Sequence, residues 1–186
     1  MKYHLICAVI VLLASCRSYQ KSPYKLWQEQ ENIAALEQSL LTGVEPYYPE
    51  YISVLSTNYR PKDLVECSRW YSTRVNRLFA PSSEDLDALY LNFRHLEVIK
   101  SVECCYTGAN VTLDRYGFQV LGLVIRQKRY LYINAISLRV LQTRDGSIED
   151  QLQTNLIKHC DGNISFWGVL FNLEDHRFYH LAINGT

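Results

Sequence analysis

The sequence has no excess of charge of either sign, because 19 lysine and arginine residues balance 19 aspartate and glutamate residues. A chain without a basic surplus offers little to neutralise the phosphates of a nucleic acid, so we predict no nucleic-acid partner. Long apolar runs are missing as well. The apolar run at the N-terminus, 5–14, is ten residues long, whereas a helix that crosses a bilayer needs roughly 20. That segment is therefore too short to span a membrane as a helix.

Short catalytic motifs are also missing from the sequence. It contains no Gly-x-Ser-x-Gly, phosphate-binding loop, dinucleotide-binding pattern, His-Glu-x-x-His or Cys-x-x-Cys. We therefore predict no catalytic residue, no metal and no cofactor, and a protein that is not an enzyme. Two alternatives remain. His176 and His180 with Cys160 or His159 would suit a metal site, and Cys160 with a histidine and Asp161 would suit a hydrolase nucleophile.

The first residues do carry a recognisable pattern. Lys2 supplies a positive charge, the apolar run over 5–14 follows, and small residues lead into a cysteine. This arrangement is typical of a targeting segment that is removed from the mature protein. Its last four residues, Leu13-Ala14-Ser15-Cys16, resemble the lipobox of bacterial lipoproteins.

The lipobox resemblance implies that residues 1–15 are a signal peptide and that Cys16 is lipidated, with palmitate among its acyl chains. Two or three chains anchor a protein stably, since each buried methylene contributes about 0.8 kcal/mol. Arg17 follows where an acidic residue would retain the protein at the inner membrane, so the resemblance implies the outer membrane. Residues 16–24 then form the lipidated cysteine and a tether, and the expected partners are the membrane and an envelope protein or glycan.

Four further cysteines remain after processing. Disulfides persist outside the cytoplasm, so Cys67, Cys104, Cys105 and Cys160 are candidate disulfide partners. Four cysteines allow three connectivities. Adjacent cysteines bridge each other only with strain, which favours Cys67 and Cys160 as partners of the adjacent pair. Buried free thiols are the alternative.

Apolar residues recur at helical spacing in the first half of the chain. They predict an amphipathic helix over 24–42, a second over 61–79, and a third that begins near Ser83. Residues 95–102 fit either a continuation of the third helix or a strand.

Apolar, β-branched and aromatic runs dominate the second half of the chain. Two pairs of runs, each joined by a polar turn, predict two β-hairpins. The paired runs are 118–125 with 130–136, and 164–171 with 178–183. Residues 137–160 between them fit a helix or a short strand. The predicted fold is α+β, with N-terminal helices packed on a C-terminal antiparallel sheet of two hairpins in a single domain over 25–186.

The sheet half is similar to a pattern found in small exported bacterial proteins. Its pieces are Tyr116-x-x-Gln119-x-x-Gly122, Tyr132-Ile133-Asn134, Asp161-Gly162, Phe166-Trp167-Gly168-Val169 and Phe178-x-x-Leu181-x-x-Asn184-Gly185. Asn163 stands where the pattern usually has a second glycine. Asparagine tolerates a positive φ, so we expect the turn to survive. The resemblance implies no activity.

A tyrosine-rich segment over 44–60 is the candidate ligand site. Two prolines break regular structure there, and Tyr47, Tyr48 and Tyr51 would suit an aromatic platform for a glycan or peptide, because tyrosine stacks and hydrogen-bonds at once. The alternative is a loop whose tyrosines pack onto the edge of the domain.

Overall fold

A six-stranded sheet forms the centre of the protein in a computed structural model, which describes residues 43–60, 74–101, 109–159 and 162–184. The strands are β1 (Ile52–Val54), β2 (Val75–Phe79), β3 (Tyr116–Ile125), β4 (Lys128–Ser137), β5 (Asn163–Asn172) and β6 (Arg177–Asn184). The helices are α1 (Ser83–Asn92), α2 (Leu138–Leu141) and α3 (Ile148–Thr154), with 3₁₀ turns at Phe93–Glu97 and Leu113–Arg115. Strands β3 to β6 pair in chain order, and all their pairings are antiparallel.

The two predicted hairpins are confirmed. Strands β3 and β4 pair along ten residues and are joined by Arg126 and Gln127, both with positive φ. Such a two-residue turn matches the right-handed twist of the flanking strands. Strands β5 and β6 form the second hairpin. Asn163, the first residue of β5, has φ 55°, so asparagine adopts here the left-handed conformation expected of the glycine that it replaces.

The predicted fold class is wrong. The described residues form a mainly β protein with short helices, and they do not form a layer of N-terminal helices on two hairpins. The hairpins join into one sheet, because β4 also pairs with β5. Both β1 and β2 add to the free edge of β3, with β1 parallel to its first half and β2 antiparallel to its second half.

The predicted helix over 61–79 is wrong for its last five residues, which form strand β2. A bulge at Asn76 shifts the pairing of β2, since Val75 pairs with Ile125 and Arg77 with Val124. The extra residue brings Val75 and Leu78 onto the same apolar cluster. Their spacing of three residues therefore imitates a helix, although a bulged strand produces it.

The third predicted helix is confirmed as α1. Ser82 accepts a hydrogen bond from the Asp85 amide at 3.2 Å, and Asp85 accepts one from the Ser82 amide at 3.0 Å. This capping box satisfies two amides that the first turn would otherwise leave unpaired. Residues 93–97 continue as a 3₁₀ turn, so no strand begins at His95.

Both faces of the sheet are buried. Phe118 and Trp167 lie on the face covered by Leu89 and Phe93 of the α1 region, and Leu121 and Tyr132 lie on the opposite face beneath Leu55 and Leu156. Every residue of β3 is buried, which explains why its sequence does not alternate between apolar and polar residues.

Several predictions fall outside the described residues. These are the signal segment, the tether, the helix over 24–42, the lipidated Cys16 and the four candidate disulfide cysteines. Within the described parts of the chain, no helix combines the length and the apolar character that spanning a membrane requires.

Candidate functional site

Two buried amide side chains form the polar centre of the sheet. Gln119 and Asn134 are cross-strand partners on β3 and β4, and both are buried. The Asn134 amide donates to Gln119 Oε1 at 3.0 Å, and the Tyr132 hydroxyl reaches Asn134 Oδ1 at 3.4 Å. A buried polar group is costly unless it is hydrogen-bonded, and these side chains are paired.

The same two amides fasten the segment that follows α3 to the sheet. Gln119 Nε2 donates to the carbonyls of Leu152 and Asn155, each at 2.8 Å. The Ile157 amide donates to Gln119 Oε1 at 2.9 Å, and the Ile157 carbonyl accepts from Asn134 at 2.8 Å. Residues 152–157 are therefore held at fixed positions, although the last three of them lie beyond the end of α3 and have no regular secondary structure.

A recess opens beside this fastened segment. Its volume is about 410 Å³, and Arg144, Asp145, Gln151, Asn155 and Lys158 contribute to its lining. The size lies within the roughly 300–1,000 Å³ that is usual for small-molecule sites. The sequence predictions did not include these residues, because their proximity depends on the bonds from Gln119 and Asn134.

Tyr47 and Tyr48 both pack against the α1 region. The Tyr48 ring lies 5.4 Å from the Tyr90 ring, and the Tyr47 ring lies 5.8 Å from Phe93. The Tyr47 amide also donates to the Tyr90 carbonyl at 3.1 Å. Tyr48 nevertheless remains 67% exposed. We call Tyr47, Tyr48 and Tyr90 the tyrosine surface.

Tyr51, the third predicted ligand residue, packs elsewhere. Its side chain lies against the apolar cluster that contains Leu141 and Leu152, and it lines a small recess of about 40 Å³ with Glu50 and Glu149. A hydrogen bond to Glu50 is the main cause that raises the pKa of Tyr51. The three predicted tyrosines therefore do not form one platform.

The tyrosine surface lies in an acidic environment. Burial raises the pKa of Tyr47, and Asp114, Glu97 and Glu50 add to that effect, whereas Arg94 opposes it. Burial and Asp87 raise the pKa of Tyr90. Both phenols are therefore protonated donors at neutral pH. The Arg94 guanidinium lies 5.1 Å above the Tyr47 ring and 3.5 Å from Glu97, so its charge is partly compensated.

The histidines of the two alternative sites are not gathered together. His176 lies in the β5–β6 turn and stacks on Phe171 at 6.2 Å, whereas His159 stacks on Phe166 at 4.7 Å. His180 is buried within β6. No group of three or more potential metal ligands occurs among the described residues. Cys160 and Asp161 lie outside them.

His180 should make the protein sensitive to acid. Burial lowers the pKa of His180 from 6.5 to about 3. Between these values the unfolded chain binds a proton that the folded chain excludes, so stability is lost as the pH falls through 6.5. We expect the free energy of unfolding to drop by about 2 kcal/mol between about pH 7.5 and about pH 5. Urea denaturation at a series of pH values measures this drop.

The matched variant for this prediction is His180→Asn. His180 has φ 58°, a conformation that asparagine accepts, and asparagine does not titrate. The variant should show a shallower pH dependence below pH 6.5, even if its stability at pH 8 is lower. An unchanged pH dependence in the variant would assign the acid sensitivity to other groups.

Comparison of the chain with protein-family models, with curated proteins and with solved structures finds no match.

Proposed function

We propose that this protein is an outer-membrane lipoprotein, anchored through Cys16, whose β domain binds another envelope protein and catalyses no reaction. The resemblance of Leu13-Ala14-Ser15-Cys16 to a lipobox supports the anchor. The observation that supports binding is the exposure of Tyr48, a residue that is 67% exposed although its ring lies 5.4 Å from that of Tyr90 on α1. Exposed aromatic rings on an ordered support are typical of protein interfaces.

The charges around the tyrosine surface favour a basic partner segment. Asp114 and Glu50 act on the half-buried Tyr47 phenol and Asp87 acts on the half-buried Tyr90 phenol, whereas Arg94 and Glu97 pair with each other. A lysine or arginine side chain lying on such a ring gains about 0.5–2 kcal/mol from the cation–π contact. The neighbouring carboxylates add a longer-range attraction that salt screens. The expected partner is a protein segment that contains lysine or arginine.

A hydrolase is the alternative function, and the placement of the histidines counts against it. His180 is only 4% exposed, and burial keeps its imidazole neutral by lowering its pKa. His159 uses one ring face to stack on Phe166. Neither residue lines the 410 Å³ recess. A general base must reach its substrate, which a side chain this deeply buried does not do.

The anchor has a direct test in cells. Cys16→Ala should abolish lipidation and leave the uncut precursor, because the cysteine sulfur is the atom that receives the lipid. Metabolic labelling with radioactive palmitate and the size of the product on a denaturing gel measure the two effects. Cys7→Ala is the matched control, since Cys7 lies inside the predicted signal peptide. Label retained in Cys16→Ala would contradict the anchor.

The tyrosine surface has a separate test in intact envelopes. Benzoylphenylalanine in place of Tyr48 should give discrete protein crosslinks on illumination, and their yield should fall when salt is raised to about 0.5 M. The same amino acid in place of Ile164, which is 48% exposed, is the control. Equal crosslinks at both positions, or none at position 48, would contradict a protein partner there.

A further inference from the structure

The recess beside residues 154–158 is an open concavity with one rigid wall. Its volume is about 410 Å³, and it lies next to the ends of α2 and α3. One wall is the segment that Gln119 and Asn134 fasten to the sheet through the Asn155 and Ile157 backbone. The wall cannot move without breaking buried hydrogen bonds, so a ligand would not need to order it first.

The charges that line the recess are mainly positive. Arg144 and Lys158 contribute two cations against the single carboxylate of Asp145. Other arginines are differently placed, since Arg129 pairs with Asp85 and Arg94 with Glu97. Within the described residues, neither Arg144 nor Lys158 has a carboxylate within salt-bridge distance. These two cations therefore remain available to an anionic group.

The recess also offers an apolar contact. Leu156 and Ile157 belong to its lining and are almost completely buried, at 8% and 9% exposure. The small part of each side chain that remains exposed offers a short aliphatic group a limited contact, while the charged end of the ligand stays near the cations. Small-molecule sites commonly combine apolar lining with a few polar groups that fix orientation.

We propose that this recess binds a small organic anion, in which a carboxylate or phosphate is attached to a short aliphatic group. The oxyanion lies between Arg144 and Lys158, and the aliphatic part lies against Leu156 and Ile157. A carboxylate would come from the end of a peptide, and a phosphate from a lipid headgroup. None of the tyrosine-surface residues lines the recess, so this site and the proposed protein-binding surface can be tested separately.

Titration of the isotope-labelled mature protein, followed by amide NMR shifts, tests the proposal. The probes are butyrate, butyl phosphate and the neutral butyramide. We expect at least one of the two anions to shift the amides of residues 155–158, with a dissociation constant on the order of 1 mM. A response to one anion alone identifies which oxyanion, carboxylate or phosphate, the recess accepts. Absence of shifts with both anions, or equal shifts with butyramide, would overturn the proposal.

The charge requirement is tested with Arg144→Gln and Lys158→Gln. Each should weaken anion binding by about fivefold to tenfold, whereas Arg139→Gln, an exposed arginine of α2 outside the recess lining, should change it less than twofold. An intact spectrum away from the recess shows that each variant is folded. An equal loss in Arg139→Gln would overturn the site, because it would assign the effect to general surface charge.

Discussion

Gln119→Leu is expected to lower the free energy of unfolding by about 3 kcal/mol or more, because several buried groups lose their partners together. The Gln119 side chain donates to two carbonyls, those of Leu152 and Asn155, at 2.8 Å each. It also accepts from Asn134 at 3.0 Å and from the Ile157 amide at 2.9 Å. Leucine fills a similar volume but makes none of these bonds, and each buried group left unpaired costs about 1–3 kcal/mol.

Urea denaturation measures this loss, and the exposed Gln153→Leu is the matched control. A surface change of this kind usually stays within about 0.5 kcal/mol. Hydrogen exchange gives a local signal, since the Ile157 amide should lose protection in Gln119→Leu. The double variant Gln119→Leu/Asn134→Leu should lose less than the sum of the single variants, because the two side chains share a bond. A loss below about 1 kcal/mol would contradict the importance of the pair.

The hairpins could be predicted because their signal is local. The β3 and β4 runs are apolar and aromatic, and a polar turn separates them. The register of the first hairpin was not predicted. The predicted runs over 118–125 and 130–136 imply a four-residue turn, which would place Gln119 opposite Ile136. The turn is two residues long, so Gln119 and Asn134 are each six residues from its ends at Ile125 and Lys128 and lie opposite each other.

The partners of those two amide side chains could not be predicted either. The carbonyls and the amide that Gln119 bonds lie 33 to 38 residues away in sequence, in a segment whose pattern fits a helix or a strand. Which backbone groups meet the sheet depends on where α3 ends, and propensity leaves that position uncertain by a few residues. The recess beside Arg144 and Lys158 depends on that position too.

The tyrosines illustrate a different limit. Within the 44–60 segment, Tyr48 is exposed, whereas Tyr51 packs against the apolar cluster that contains Leu141 and Leu152. Strand β1 begins at Ile52, and its parallel pairing with β3 fixes how the preceding residues leave the sheet. A three-residue strand carries too little pattern to be recognised, so the sequence could not separate Tyr51 from the other two.

Gly122→Ala is the second change with a large expected effect, because strand β2 lies directly against this glycine. A methyl group at Gly122 would overlap the Phe79 carbonyl oxygen and would lie 2.9 Å from the Phe79 ring. Gly122 and Phe79 are paired in the β2–β3 register, so the clash is with backbone that cannot rotate away. Strand β2 must then leave β3, which also removes the Phe79 ring from beneath the Arg129 guanidinium 4.4 Å away. We expect a loss of about 3 kcal/mol in the free energy of unfolding.

The control for Gly122→Ala is Gly117→Ala on the same strand. A methyl group there would meet the ends of two leucine side chains, Leu141 at 2.9 Å and Leu152 at 3.0 Å. Flexible side chains can shift by a few tenths of an ångström, and alanine also reduces the entropy of the unfolded chain, so the loss should be about 1 kcal/mol or less. Urea denaturation of both variants measures the difference. Equal losses would mean that β2 can leave β3 without cost, and that the bulged strand contributes little to the stability of the sheet it extends.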